Sequence, residues 1–423
     1  MDNKLGIYFH LPFCVSKCSY CDFYSLAGCD RLIPKYQDAL LEHVRESYPT
    51  LKAYAIDTVY FGGGTPSYYG ADRIAELLGE VKRSGRLMKS SEITIEVNPD
   101  SAHPKGLKLL HKEGVNRISL GAQSSNNDIL KLIGRRHNWT QVENAFRSAR
   151  NAGFDNISLD LMYGLPSQSK SDWAKTLQRA LDLKPEHISC YALQLEEGTK
   201  MYREYRNSEI LPTDDEQADM YLYAVDFLEH YGYRQYEISN FAIKGFESRH
   251  NLKYWDLSEY LGFGAGAHSN IGGARFSYVK DADSYIIGVL SETEIVDEYE
   301  KVSPLARTSE YIMLGMRTSM GISGDEYYGL YRGDFTPVEE LLKEFETKGW
   351  AYKENERWRF NPSGYLISNT LIRALLEAQS DKRVDSTPWM REAFDAEEKT
   401  EIPPGDEEVF AELYRKKKAR YGL

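Results

Sequence analysis

Three thiols fall within eight residues in the stretch HLPFCVSKCSYC: Cys14, Cys18 and Cys21. Such a cluster allows three kinds of chemistry. Positions i, i+4 and i+7 share one face of a helix, where cysteine packs as a small hydrophobe, although Pro12 and the short polar run SKCSYCD suit a loop better. A Cys3His set with His10 would close a tetrahedral zinc site, but neither Cys29 nor Cys190 supplies the second pair that zinc ribbons use. In the third reading the thiolates hold three irons of a 4Fe-4S cluster and leave the fourth iron without a protein ligand, open to a substrate or cofactor. Phe23 then stands where a further thiol would be expected.

Elements must position these thiols, and the first half of the chain supplies them in a regular order. Short β-prone segments recur at 5–10, 57–62, 92–97, 116–121, 156–164 and 187–195, separated by stretches with helical periodicity such as ADRIAELLGEVKRS and SDWAKTLQRALDL. Six such alternations imply parallel strands with crossover helices, in which ligands bind at the carboxyl ends of the strands. Cys14 follows the first strand, Gly62 to Pro66 the second, Asn98 and Pro99 the third and Gln123 the fourth, so these residues should converge on one face. The fold class expected is α/β, with this partial barrel at 1–210 and an α/β extension at 211–304. In the extension a helix at 215–232 is followed by glycine-rich and aromatic loops (YEISNFA, RHNLKYW, LGFGAGAHS). Residues 305–379 read as helices followed by a β-hairpin turning at ENER, a winged-helix-like unit. A mixed-charge tail occupies 380–423.

A chain of 423 residues is too long for one hydrophobic core and suits one large unit with smaller ones. Its net charge of -12 argues against a general nucleic-acid surface, and VEELLKEFETKG in the winged-helix-like unit is not basic enough to change that view. Five cysteines are too few and too unevenly spaced for a secreted disulfide framework. No apolar run is long enough to span a bilayer, and the first residues lack a secretion signal, so a reduced, cytoplasmic setting is expected.

CVSKCSYC, together with GIYFHLPF, YFGGGTPS, IEVNPDS, LGAQS, GRRH and LDLMYGLP, resembles the radical S-adenosylmethionine (SAM) enzymes. Within that superfamily the chain is similar, over about residues 5 to 375, to the branch that holds oxygen-independent coproporphyrinogen III oxidases and heme chaperones. The resemblance implies a 4Fe-4S cluster on Cys14, Cys18 and Cys21, with SAM chelated to the open iron. An electron donor would reduce the cluster, which then splits a carbon–sulfur bond to give the 5′-deoxyadenosyl radical.

Residue by residue, the resemblance places Tyr8 against SAM and Tyr20 near the adenine. Gly63, Gly64 and Thr65 would hold the amino end of SAM, and Glu96 would contact it. Gln123, Arg135 and Asp160 match positions that hold a second SAM in the oxidases, and Ala192 matches a backbone contact. The oxidases typically carry one more cysteine, where this chain has Phe23, and a longer segment before the cluster; both departures suit the chaperone branch. RHNLKYW matches that branch's HNxxYW signature, with His250 as the candidate axial ligand for heme iron. His268 in GAGAHS is a further loop histidine with an ordinary structural reading beside the heme one. The partners implied are heme or a porphyrin and a protein that accepts heme. The rival activity is anaerobic decarboxylation of coproporphyrinogen III, and a zinc-stabilised binding module is the third possibility.

Overall fold

The computed structural model describes residues 3–381. Six parallel strands lie side by side in chain order: β1 (Lys4–Leu11), β2 (Ala55–Gly63), β3 (Arg86–Val97), β4 (Arg117–Gln123), β5 (Ile157–Tyr163) and β6 (His187–Ala192). The crossovers run through α1 (Ile33–Glu46), α2 (Ala71–Ser84), α3 (Pro104–Lys112), α4 (Trp139–Ala152) and α5 (Lys170–Asp182). This is an incomplete (β/α)6 barrel. Asn138 and Ser169 close capping boxes at the starts of α4 and α5, and Gly153 in the left-handed region ends α4, so the local signals agree with the helices they bound.

Parallel strands covered on both faces usually read as continuous apolar runs. Here they alternate. Ile7, Phe9, Val59, Phe61, Ile93, Ile95, Ile118, Leu120, Leu159 and Ile188 are buried in the main core beneath the helices. The register sets the opposite face: Tyr8 lies beside Tyr60, Tyr60 beside Thr94, Thr94 beside Arg117, Ser119 beside Ser158 and Asp160 beside Ser189. The concave side of the sheet is therefore a polar chamber rather than a second oily core.

The stretch after the barrel is more regular than its sequence suggests. YEISNFA forms a hairpin of β7 (Arg234–Glu237) and β8 (Asn240–Ala242), with β8 antiparallel to β6. LGFGAGAHS, expected as a loop, forms β9 (Tyr260–Phe263), the turn that follows and the start of β10 (His268–Ile271). β9 runs parallel to β1 on its free side and makes a seventh parallel strand; β10, β11 (Ala274–Tyr278) and β12 (Val296–Lys301) continue as an antiparallel meander. Its glycines hide a strand because they serve close packing: a Cβ on Gly262 would run into the His268 carbonyl. One twelve-stranded sheet results, open between β12 and β7.

Residues 304–319 reach across that opening. Helix α6 (Pro304–Gly315) is tied to one side of the sheet by Arg307 Nη2 donating to Asn270 Oδ1 at 2.6 Å and by an Arg275–Glu310 ion pair at 2.9 Å. At its far end the Ile238 N–H donates to the Arg317 carbonyl (3.0 Å), and the Ser319 N–H donates to that of Tyr236 (2.9 Å). Beyond it lie helix Thr336–Thr347, the hairpin Ala351–Glu354 with Arg357–Phe360, and helix Ser368–Asp381. Asn355 and Glu356 both have positive φ, as a two-residue hairpin turn requires. The tail expected at 380–423 lies, beyond Asp381, outside the described residues. No helix among the described residues is long and apolar enough to cross a membrane.

Candidate cluster and cofactor site

The cysteine segment is a loop, as Pro12 and its polar residues suggest, and it is fastened from three sides. Phe13–Cys14 pairs in parallel with Leu26–Ala27. The Ser19 N–H donates to the Ile133 carbonyl at 3.2 Å, and the Met201 N–H donates to the Ser19 carbonyl at 2.8 Å. Tyr20 packs on a second small core of Ile129, Ile133, Met162 and Leu193, beside Cys18 and Arg135. Among the described residues no three His, Cys, Asp or Glu side chains converge to chelate a single ion. His10 is committed elsewhere: its Nε2 donates to the Tyr24 carbonyl at 2.9 Å, which leaves Nδ1 to accept from the Tyr8 hydroxyl at 3.0 Å. The Cys3His zinc set is therefore not formed, whereas thiolates that anchor different irons of one cubane stand farther apart.

The surroundings of the thiols suit anionic sulfur. Cys14 Sγ lies 3.3 Å from the Thr65 hydroxyl. Arg135 Nη1 donates to Cys18 Sγ at 3.7 Å, and its Nη2 donates to Asn98 Oδ1 (2.8 Å) and the Gly121 carbonyl (2.7 Å). Burial pushes the Cys14 and Cys21 thiols above their ordinary value, so without iron they are neutral and metal binding must displace their protons. Arg135 supplies compensating charge at Cys18, and its Nε is buried with no partner among the described residues.

The glycine run ends β2 with its backbone pressed against the first strand. A Cβ on Gly63, whose φ is +109°, would stand 2.8 Å from the His10 ring, and one on Gly64 would stand 2.6 Å from Pro12 backbone. The Gly63 N–H donates to Glu96 Oε2 at 3.2 Å, and Tyr60 donates to Oε1 at 3.0 Å. Burial raises Glu96 from 4.5 to about 7 against the pull of these hydrogen bonds. Thr65 accepts at 3.2 Å from Asn98 Nδ2, so one hydroxyl links the third strand end to Cys14.

Tyr8, Gly63, Gly64, Thr65, Glu96 and Arg135 thus meet at one end of the barrel, around the thiols. Gln123 ends β4 with φ +63° after a register shift, a costly backbone for a residue other than glycine. Its amide lies near the Arg135 guanidinium and Asn98, all within reach of a Cβ on Gly121. Asp160 sits one layer deeper and accepts from Ser119, Ser158 and Ser189. Ala192 closes β6 beside Tyr163. Tyr60 and Asn98 complete the network; they lie within YFGGGTPS and IEVNPDS, but the sequence reading assigns a role to neither, only placing Asn98 just past the third strand.

His250 does not lie in a loop. RHNLKYW forms the short helix Arg249–Trp255 at the opposite, amino end of the strands, where Glu92 receives the N–H groups of Arg249 and His250 at 3.0 Å each. Lys253 pairs with Asp57 at 2.9 Å with both side chains nearly buried; the ammonium approaches off the hydrogen-bond axis, so this is an ion pair only. The His250 ring is fully buried, with Nδ1 2.8 Å from the Thr58 hydroxyl and Nε2 2.9 Å from that of Tyr254. Burial lowers it to about 3, so it is neutral. The axial-ligand expectation is not met in this conformation: both nitrogens are used and neither faces solvent.

The radical SAM superfamily model matches residues 8–180. The chain is 35% identical over 371 residues to the heme chaperone HemW of Lactococcus lactis, covering 87% of this chain and 96% of that one. It is 34% identical to HemW of Bacillus subtilis over 87% of this chain and 98% of the relative. This chain belongs to the HemW family. As a HemW family member with a radical SAM domain, it belongs to a class built around a 4Fe-4S cluster and SAM. Its fold is that of Escherichia coli coproporphyrinogen III oxidase, a radical SAM enzyme, with TM-score 0.78, 21% identity and coverage of 88% and 90%. The donor set fits those groups. Cys14, Cys18 and Cys21 would hold the cluster, while Glu96 and the Gly63–Thr65 strand end would hold the cationic end of SAM. When bound, the cluster supplies electrons and SAM the reactive nucleoside. The chain itself contributes a counter-charge at Cys18, a neutral His10 that locks Tyr8, and a carboxylate whose ionisation a cation would favour.

Proposed function

We propose that this chain is a heme chaperone that binds heme and passes it to an acceptor protein, with a cluster and SAM at the site above. The observation that carries the reading is identity of about a third, along nearly the whole length, to several proteins named as heme chaperones. Phe23 supports it: the position two residues past Cys21 carries an exposed ring in place of a thiol. The fold likeness to the oxidase is shared by both activities and favours neither.

The test uses one anaerobic preparation with iron and sulfide restored. Hemin titration should give a stable complex, and transfer to an apo-hemoprotein should follow. Coproporphyrinogen III with SAM and a strong reductant should give no protoporphyrinogen. Decarboxylated product without heme binding would overturn the proposal in favour of the oxidase. Zinc in place of iron and labile sulfide would overturn it in favour of a zinc-stabilised module.

A further inference from the structure

The buried His250 leaves heme iron without a histidine from the signature motif, and the sheet register supplies another candidate. Tyr8 pairs with Gly262 across β1 and β9, Tyr260 pairs with Asn270 across β9 and β10, and strand side chains two apart share a face. His268 therefore stands on the same concave face as Tyr8, Tyr60 and Glu96. It is exposed, and no hydrogen bond holds its ring among the described residues. It lies, with Lys280, near the His10 ring, which burial holds neutral. By contrast, His10, His187 and His250 each have both nitrogens engaged.

The cluster loop leans toward this rim. After Cys21 the chain passes through Phe23, which is 69% exposed, to Tyr24. The Tyr24 ring stacks at 6.0 Å on His10, and its hydroxyl receives the Ala282 N–H at 2.7 Å. A Cβ on Gly266 would touch both Tyr24 and the Lys280 stem, so the bare glycine keeps the floor between them low. An available imidazole, a glycine floor and an ammonium thus gather at one edge of the chamber, and the loop residue next to Tyr24 carries an uncovered aromatic ring. Porphyrin recognition needs these parts: an axial nitrogen for iron, an apolar surface for the macrocycle and a cation for a propionate.

We propose that heme docks on this rim, with His268 as axial ligand, Phe23 against the macrocycle and Lys280 on a propionate. This rests on the heme-chaperone reading and adds the place where heme sits, beside the cluster rather than at the HNxxYW helix.

The experiment titrates hemin into the cluster-loaded full chain and into His268→Ala, Phe23→Ser and Lys280→Ala, all at exposed positions whose loss should leave the unfolding midpoint unchanged. Wild type should show a histidine-ligated Soret band. His268→Ala should bind at least tenfold more weakly with a shifted band, and added imidazole should restore the wild-type spectrum. Phe23→Ser and Lys280→Ala should each weaken binding a few-fold with the band in place. A His268→Ala protein with wild-type affinity and spectrum would overturn this placement and leave the chaperone reading standing. A wild-type chain that binds no heme would overturn both.

Discussion

Glu96 offers a quantitative test of the site, because its ionisation is opposed by burial and would be rewarded by a bound cation. In the folded, SAM-free chain its pKa is raised from 4.5 to about 7. An acid with a raised folded pKa holds its proton more tightly folded than unfolded, so stability falls as pH rises through that window. At about 1.4 kcal/mol per pH unit, the full loss from below 4.5 to above 7 is about 3 kcal/mol. Part of the side chain remains open to the chamber, which brings the expected loss to about 2 kcal/mol. Glu96→Gln removes the titration. It also leaves one amide oxygen to serve both Tyr60 and Gly63, at a cost of about 1 kcal/mol. The variant should therefore be about 1 kcal/mol less stable than wild type at pH 4.5 and about 1 kcal/mol more stable at pH 8. Urea unfolding of both proteins at the two pH values, anaerobic and without SAM, measures this. A difference of the same sign and size at both would refute the claim that burial of an ionising Glu96 strains the empty site. SAM affinity should move the other way, falling at least tenfold in Glu96→Gln with the loss of a charge-assisted contact.

The remaining predictions concern the thiols, the plug at the far end and the glycine run. Cys14→Ala should abolish cluster assembly, read as iron and labile sulfide per chain, while secondary structure by circular dichroism stays intact. Lys253→Met should destabilise by about 3 kcal/mol, because it strands a buried Asp57 carboxylate, and adding Asp57→Asn should recover much of that loss in denaturant titration. His250→Ala should cost about 2–4 kcal/mol through a cavity and two orphaned hydroxyls yet leave the heme spectrum of the folded fraction unchanged. Gly63→Ala should weaken SAM binding measured by equilibrium dialysis, since its methyl must displace the His10 ring that fixes Tyr8.

The barrel was legible because its six strands are compact apolar alternations separated by stretches of helical period, two of which open on capping boxes. The thiol trio was legible because its spacing is rare and follows a strand directly. β9 escapes the sequence pattern for an identifiable reason: four residues in a glycine-rich stretch are too few to show a period, and the β1 edge and β10 make a strand of them. RHNLKYW reads as a loop because its seven residues, dense in aromatics, show no amphipathic face. It is a helix because Ser248 and Glu92 satisfy its first N–H groups and because it plugs a barrel rather than lying on one. Whether a histidine is available depends on neighbours distant in sequence. His250 and His268 look alike as letters; burial at the amino end of the strands and the hydroxyls of Thr58 and Tyr254 take the first out of reach.

The crosspiece formed by residues 304–319 has a dimensional consequence. A helix of twelve residues is about 18 Å long, and α6 is fastened at one end to β10 and β11 and, through the residues that follow it, to the β7 hairpin at the other. The spacing between β10–β11 and the β7 hairpin is thus gauged by a helical strut, so the breadth of the sheet's opening is set by a segment that contributes no chemistry. Lengthening or shortening that strut by one turn would retune what can enter, with every cofactor-facing side chain left untouched.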